Sequence, residues 1–275
     1  MNLPKIHSIT NKILVALAGG FLLLFLLFHM SANLFILRHD DGAWYSAFCN
    51  FMGTNWIVKV FEIVLLGFIA LHILLTLWLA VTNRLARPVR YHQAQKSKTH
   101  STSKLTIWTG ILILVCLLMH FYDFYFVKVG WVKGEYMVKV EALAKSENAM
   151  NDEEVMMMAY DAVEEGRVST DGKWIRHLSY DERNLLKERA PETKPEPDFY
   201  YMAREKFSHW HIVLGYLFFF FVIFMHLSHA FPSAFQTLGL NNYKYNNIIE
   251  ALGKIYTWVV VLGFAAVPIL VYLGL

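Results

Sequence analysis

Five apolar runs dominate this sequence, and none of them contains Lys, Arg, Asp or Glu in its interior. They cover residues 13–37, 63–81, 105–122, 211–234 and 255–275. Each run has about 18 to 25 residues, the length that an α-helix needs to cross about 30 Å of hydrocarbon. Because the runs are apolar on all faces and lack the alternation of a membrane β-barrel, the sequence predicts an all-α integral membrane protein with five transmembrane helices.

The composition favours the same class. Of the 275 residues, 56% are hydrophobic and only 17% are charged, which is typical of a membrane protein. The polar start, residues 1–9, leads into the first run without a small-residue cleavage site, so we expect a retained helix and not a signal peptide. Cys49 falls in a predicted short loop and Cys116 inside a run, so neither a disulfide nor a cysteine metal site is expected.

The charges between the runs predict the orientation. The connection between the second and third runs is basic and has no acidic residue; its cations are Arg84, Arg87, Arg90, Lys96, Lys98 and Lys104. By the positive-inside rule, this connection and the N-terminus are cytoplasmic. After five crossings, the C-terminus is then extracytoplasmic.

A polar insert, residues 129–208, separates the third run from the fourth. Its residues 134–149 and 151–166 predict two short helices, the second capped by Asn151 and stopped by Gly166. The insert fits a small cap over the outer face or, more simply, a solvated loop with some helix. The chain is thus predicted as residues 1–128 with helices one to three, the insert, and residues 209–275 with helices four and five.

Four of the five runs carry one deep histidine each, and a histidine inside the bilayer is a functional candidate. At about 1.5 Å per residue, His29 and His120 lie about 24–25 Å into their helices, toward the outside. His72 and His226 lie equally deep in helices that run the other way, so they are near the cytoplasm. The four histidines therefore sort into two level pairs, His29 with His120 and His72 with His226.

Imidazole is a good ligand of haem iron, and haem sites can be built from side chains on facing helices of a bundle. Helices one to four are therefore predicted to form a haem-binding bundle with two bis-histidine haems that carry electrons across the bilayer. The alternative is an interhelical hydrogen bond for each histidine. One histidine in each of four helices, paired by depth, argues against it. His229, one turn nearer the interface, is expected to bond a haem propionate or a partner.

The end of the fourth run, HLSHAFPSAFQTLGLNN, resembles a family motif, and LLFHMSANL, ALHILLT and LLMHFYDF occur in the matching order. The five runs are similar to the single-chain dihaem cytochrome b membrane anchor of succinate:quinone oxidoreductases (succinate dehydrogenase and fumarate reductase). The resemblance implies His29 and His120 as ligands of a distal haem b and His72 and His226 as ligands of a proximal haem b. His226 has the family's offset from Gly239.

The resemblance also implies partners and a substrate. A flavoprotein subunit and an iron–sulfur subunit would dock on the cytoplasmic face of a bacterial inner membrane, and electrons would pass through the haems to a quinone, usually menaquinone. A dimer of heterotrimers and contact with membrane lipid are further expectations, and no nucleic acid is expected. The basic residues Arg84, Arg87 and Arg90 would meet haem propionates, the iron–sulfur subunit or anionic lipid.

Two acidic residues lie at the predicted level of the distal haem, where the resemblance implies the quinone site. Glu62 and Asp123 are candidates for a proton relay, since quinone chemistry needs protons, and Trp56 could flank the quinone ring. The alternatives are that Glu62 pairs with Lys59, and that Asp123 pairs with Lys128 or caps the backbone.

Other interpretations stay open. The chain could be the dihaem anchor of a formate dehydrogenase or hydrogenase, although those usually have four spans and a different helix-four pattern. It could also be a haem-free transporter or scaffold with structural histidines. Some family members carry a glutamate two residues before the helix-four ligand, linked to proton transfer across the membrane; this chain has Phe224 there, so that proton path is not expected.

Overall fold

A computed structural model describes residues 8–86, 105–240, 242 and 244–275. Five of its helices are long and apolar enough to cross a membrane, and we call them the first to fifth spans: Ile9–Leu37, Trp56–Leu85, Thr106–Val129, Trp210–Thr237 and Asn246–Tyr272. The predicted multi-pass, mainly α-helical membrane architecture is confirmed. The second span is longer at both ends than predicted, because the helix continues through the charged positions Lys59, Glu62 and Arg84 that bounded the predicted run. Arg87 and Arg90 of the basic connection lie outside the described residues.

The helices, in chain order, are α1 (Ser8–Asn33), α2 (Ala43–Thr54), α3 (Trp56–Leu85), α4 (Thr106–His120), α5 (Phe126–Val129), α6 (Val140–Lys145), α7 (Glu147–Asn151), α8 (Glu153–Glu164), α9 (Tyr180–Arg189), α10 (Phe199–Phe207), α11 (Trp210–Thr237) and α12 (Asn246–Tyr272). A 3₁₀ turn, Leu34–Leu37, extends α1, and a π-helical turn, Phe121–Tyr125, joins α4 to α5. Pro232 lies inside α11 and does not end it.

The described residues divide into two compact units. The first comprises the described residues of the ranges 1–33, 59–115 and 216–266, and the second comprises those of 34–58, 116–215 and 267–275. In the first unit, Gly263 of α12 lies directly against the Met30 side chain of α1 and has no room for a Cβ. Tyr256 Oη donates to Leu23 O across the same two helices at 2.6 Å. Small residues and such hydrogen bonds hold membrane helices together where the hydrophobic effect is absent.

The second unit contains the insert, which has its own three-stranded antiparallel sheet. Strands β1 (Tyr136–Lys139), β2 (Trp174–Leu178) and β3 (Glu196–Pro197) lie in the order β2-β1-β3. Side chains of the sheet and the surrounding helices form a buried core that includes Tyr136 and Leu186. The simpler expectation of a solvated loop is therefore wrong.

Local predictions within the insert need two corrections. Residues 134–149 were expected to be helical, but Tyr136 and Val138 pair with β2, because burial of their apolar side chains in the sheet outweighs local helix propensity. Helix α8 is capped by Asp152, whose carboxylate accepts from Glu154 N and Val155 N, and not by Asn151. Gly166, at φ 72°, ends that helix as predicted.

The first connection between spans also differs from the prediction, because it contains α2 and Cys49 therefore lies in a helix. Helix α2 is tied to the insert by Asn50, which donates to Glu196 at 2.7 Å and accepts from Lys139 at 2.8 Å. Both elements belong to the second unit, so the insert and the first connection fold as one body.

Candidate functional site

His72 and His226, the predicted proximal pair, lie in the same unit. Each is 16 residues beyond the first residue of its helix, α3 or α11. Both rings are therefore about 24 Å along helices that begin at a tryptophan. The two side chains are within electrostatic range of each other. The first unit thus brings together two histidines that are 154 positions apart in the sequence.

Thr109 of α4 orients the His226 ring. Its buried hydroxyl lies 3.2 Å from His226 Nδ1 and donates to Thr106 O at 3.0 Å. Because the hydroxyl has one proton and gives it to the carbonyl, its lone pair accepts from Nδ1–H. This tautomer leaves the lone pair on Nε2, and a second hydrogen bond of this kind is what typically orients a histidine that binds a metal.

His72 has weaker support. Its ring lies within hydrogen-bonding range of the Val15 backbone in α1, but its buried Nδ1 makes no well-formed hydrogen bond to the described residues. A buried nitrogen without a full hydrogen bond is unfavourable, so this ring has capacity for a ligand. The two imidazoles together supply the donor set that a bis-histidine haem requires.

Glycines lie beside both rings. A Cβ on Gly19 of α1 would be 3.4 Å from His72 Cε1, and a Cβ on Gly110 of α4 would be 3.8 Å from His226 Cε1. The Cβ position of Gly20 has no described atom within 4 Å. The backbones of α1 and α4 therefore approach the imidazoles closely and leave side-chain volume free, which fits a flat macrocycle between these helices.

His29 and His120, the predicted distal pair, belong to different units, so each has its own surroundings and their pairing stays a prediction. His29 Nδ1 lies 3.3 Å from Asn33 Nδ2, and the ring is flanked by Phe25 and Phe264 at 5.3 and 5.7 Å between centroids. These contacts hold the imidazole in an aromatic environment on the last turns of α1.

His120 is the last residue of α4 and directly precedes the π-helical turn Phe121–Tyr125. Its ring lies 5.2 Å from that of Phe124, inside the turn. Single π-helical turns occur frequently at functional sites, because the extra residue redirects the side chains around it. The sequence FYDFYF contains no Gly or Pro, so nothing in it pointed to this turn.

Asp123 lies in the π-helical turn and lines a cavity of about 420 Å³ in the second unit. Its carboxylate accepts from Lys206 Nζ of the insert at 2.8 Å, a partner that the sequence did not suggest. Other polar side chains that line the cavity are Tyr122, Lys133, Glu135, Glu205, His209 and His211. The insert therefore supplies most of the polar groups around this predicted relay residue.

Glu135 gives the cavity a proton-binding group. Burial, followed by the neighbouring carboxylate of Glu205, raises the pKa of Glu135 above its ordinary value. The protonated carboxyl is therefore favoured, so Glu135 can take up and release protons closer to neutral pH than an exposed glutamate can. Sequence reasoning missed this residue, since its proximity to Asp123 depends on the fold of the insert.

The remaining predicted positions are on helices of the first or second unit. Glu62 is half-buried on α3 in the first unit, and its relation to Asp123 stays a prediction. Trp56, in the second unit, is 73% exposed. Phe224 packs against Trp258 at 4.8 Å between ring centroids, so the position that holds a glutamate in some family members is apolar.

Among the described residues, no three His, Cys, Asp or Glu side chains are grouped to hold a bare metal ion. A haem iron needs only two protein ligands, so this finding leaves the histidine pairs as candidates.

No protein-family model, curated protein or solved structure matches this chain. Its function is therefore argued from the geometry of its sites. The family suggested by the helix-four motif stays a hypothesis, and the geometry of those sites can support it.

Proposed function

We propose that this chain is the dihaem cytochrome b membrane anchor of a succinate:quinone oxidoreductase. The observation that carries the proposal is that Thr109 orients the His226 ring, within the helical unit that also contains His72. These two histidines would bind the proximal haem b, and His29 and His120 would bind the distal haem b.

When bound, haem b supplies a one-electron carrier whose potential depends on its axial ligands and their hydrogen bonds. The residues of the chain itself bind and orient. Thr109 selects the tautomer of His226, and the glycines at positions 19 and 110 give the rings close helix contacts. Stacked aromatic rings, such as those of Phe220 and Phe264 with centroids 5.5 Å apart, exclude water from the space between the helices.

The chain would lie in a bacterial inner membrane with its N-terminus in the cytoplasm and its C-terminus outside. A flavoprotein subunit and an iron–sulfur subunit would dock on the cytoplasmic face, where dicarboxylate chemistry takes place. Arg84, in the last turn of α3, is the described part of the basic connection that would meet them. This orientation rests on the placement of the basic residues between the second and third spans.

The quinone, of the menaquinone type, would react near Asp123 and Glu62, which would pass protons. The cavity beside Asp123 supports this role, because titratable side chains line it. Asp123 itself follows His120 by one helical turn. Glu62→Gln and Asp123→Asn are each expected to slow quinone turnover about a hundredfold, the lower end of the range for a lost proton-transfer group, and to leave haem content unchanged. Full turnover in a variant would remove that residue from the relay.

The proposal is tested by a reduced-minus-oxidised spectrum of the purified complex. We expect a b-type α-band, two haems per chain, and two copurifying soluble subunits that carry flavin and iron–sulfur clusters. A preparation without haem would favour a transporter or scaffold. Soluble subunits that contain molybdenum or nickel would instead indicate the anchor of a formate dehydrogenase or hydrogenase.

Thr109→Val is expected to keep both haems and to raise the midpoint potential of the proximal haem by tens of millivolts. The reason is that His226 loses a hydrogen bond of about 1 kcal/mol that increases the electron donation of its ring to ferric iron. Redox titration followed by optical spectroscopy measures the shift. The control is Thr257→Val, since Thr257 is also buried but, among the described residues, donates within its own helix, to Gly253 O. Equal potentials in wild type and Thr109→Val would contradict the assignment.

A further inference from the structure

The end of the third span meets the insert at Gly130. A Cβ on this glycine would lie 2.6 Å from Arg183 Nη2 of α9, so the guanidinium packs directly on the backbone there. Trp131, the next residue, is 77% exposed. Tryptophan is enriched where membrane helices enter the headgroup region, and the span ends one residue before Gly130. The end of the span and this tryptophan predict that Arg183 lies at the level of lipid headgroups.

Arg183 is a buried cation without an acidic partner. Its residue is 5% exposed, and its Cζ lies 4.8 Å from the Tyr136 ring and 5.6 Å from the Tyr180 ring. Nη1 donates to Asn184 at 3.1 Å, whereas Nε has no hydrogen-bond partner and no carboxylate pairs with the guanidinium in the described parts of the chain. Tyrosine faces stabilise a cation by about 0.5–2 kcal/mol, less than a buried charge costs.

Two lysines add to this charge. Lys133 Nζ lies 5.9 Å from the centroid of Tyr180, the ring that Arg183 also covers. Lys187 follows Arg183 by one turn on α9, and its pKa is lowered by burial and by the nearby guanidinium. Within residues 105–240, neither lysine forms an ion pair, although Lys133 lines the cavity that also contains Glu135 and Glu205. Like charges on neighbouring side chains repel one another, so a bound anion would stabilise this cluster.

We propose that Lys133, Arg183 and Lys187 bind the phosphate of an anionic phospholipid. A lipid fits better than a soluble anion because the cluster is at the end of a membrane span, with the exposed apolar side chains of Val129 and Trp131 beside it to contact an acyl chain. The site ties the insert to the membrane through lipid. Lys133 also lines the cavity beside Asp123, so the test counts bound lipid and not quinone turnover, and its outcome does not depend on haem or quinone.

The test uses the full chain, purified with its partners, delipidated and then titrated with phosphatidylglycerol, phosphatidylcholine or inorganic phosphate. The variant is Lys133→Gln with Lys187→Gln, since both side chains are exposed and their loss leaves the buried Arg183 in place. The control is Lys145→Gln with Lys173→Gln, two exposed insert lysines paired with Glu141 and Asp171. Native mass spectrometry counts bound lipid.

We expect wild type and control to retain one phosphatidylglycerol more tightly than phosphatidylcholine, and the variant to bind it about tenfold more weakly, as the loss of about 1.4 kcal/mol implies. Equal retention by variant and control would overturn the site. So would equal binding of the two lipids, which would mean that the negative charge is not recognised. If millimolar inorganic phosphate displaced the bound lipid as effectively as added phosphatidylglycerol does, the cluster would be a site for free anions and not for lipid.

Discussion

His226→Ala lowers the haem content from two to one per chain and abolishes electron transfer to quinone. This is the expected result, because the proximal haem would lose one of the two histidines that would hold it. Pyridine haemochrome analysis gives the stoichiometry, and the loss is expected in the proximal component of the redox titration. The Thr109 hydroxyl would be left without the Nδ1–H that it accepts.

His229→Ala provides the matched control, because His229 lies one turn further along the same helix and is also half-buried. We expect both haems to remain in this variant. A preparation of His226→Ala that still contained two haems would show that the fourth span uses another ligand. Loss of haem in both variants would indicate that α11 as a whole, and not one imidazole, determines haem binding.

Arg176→Met is expected to destabilise the insert by about 3–5 kcal/mol, the cost of leaving a buried charge without its partner. Nε and Nη2 of Arg176 donate to the two carboxylate oxygens of Asp198, each at 2.7 Å, and Nη1 donates to Asp41 O at 2.7 Å. The side chains are 7% and 0% exposed. The arginine thus joins β2 to the start of α10 and to the first connection between spans.

Urea unfolding of the full chain in micelles, followed by the fluorescence of the buried Trp174 in the same strand, measures the loss. The control is Arg189→Met, which removes ion pairs to Asp152 and Glu154 that are much more exposed. It is expected to cost much less than Arg176→Met, because ion pairs in contact with water contribute little to stability. Equal midpoints for the two variants would show that burial does not set the strength of the Arg176 pair.

Part of the candidate site could be predicted from the sequence and part could not. The depth of His72 and His226 followed from counting residues, because the rise per residue of a membrane helix is nearly constant. Their neighbours did not follow. Thr109 is 117 positions from His226, and Lys206 is 83 positions from Asp123, so only the packing of the chain brings each pair together.

The sequence by itself determined the membrane architecture, because a charge-free apolar run of helix length has one favourable state in a bilayer, where every backbone polar group must be bonded within the helix. Inside the insert no such constraint acts. The tertiary structure decided that residues 136–139 form a strand, that Asp152 caps α8, and that Arg176 and Arg183 are buried. These outcomes depend on contacts between distant residues, whose energies exceed the local preferences that a sequence displays.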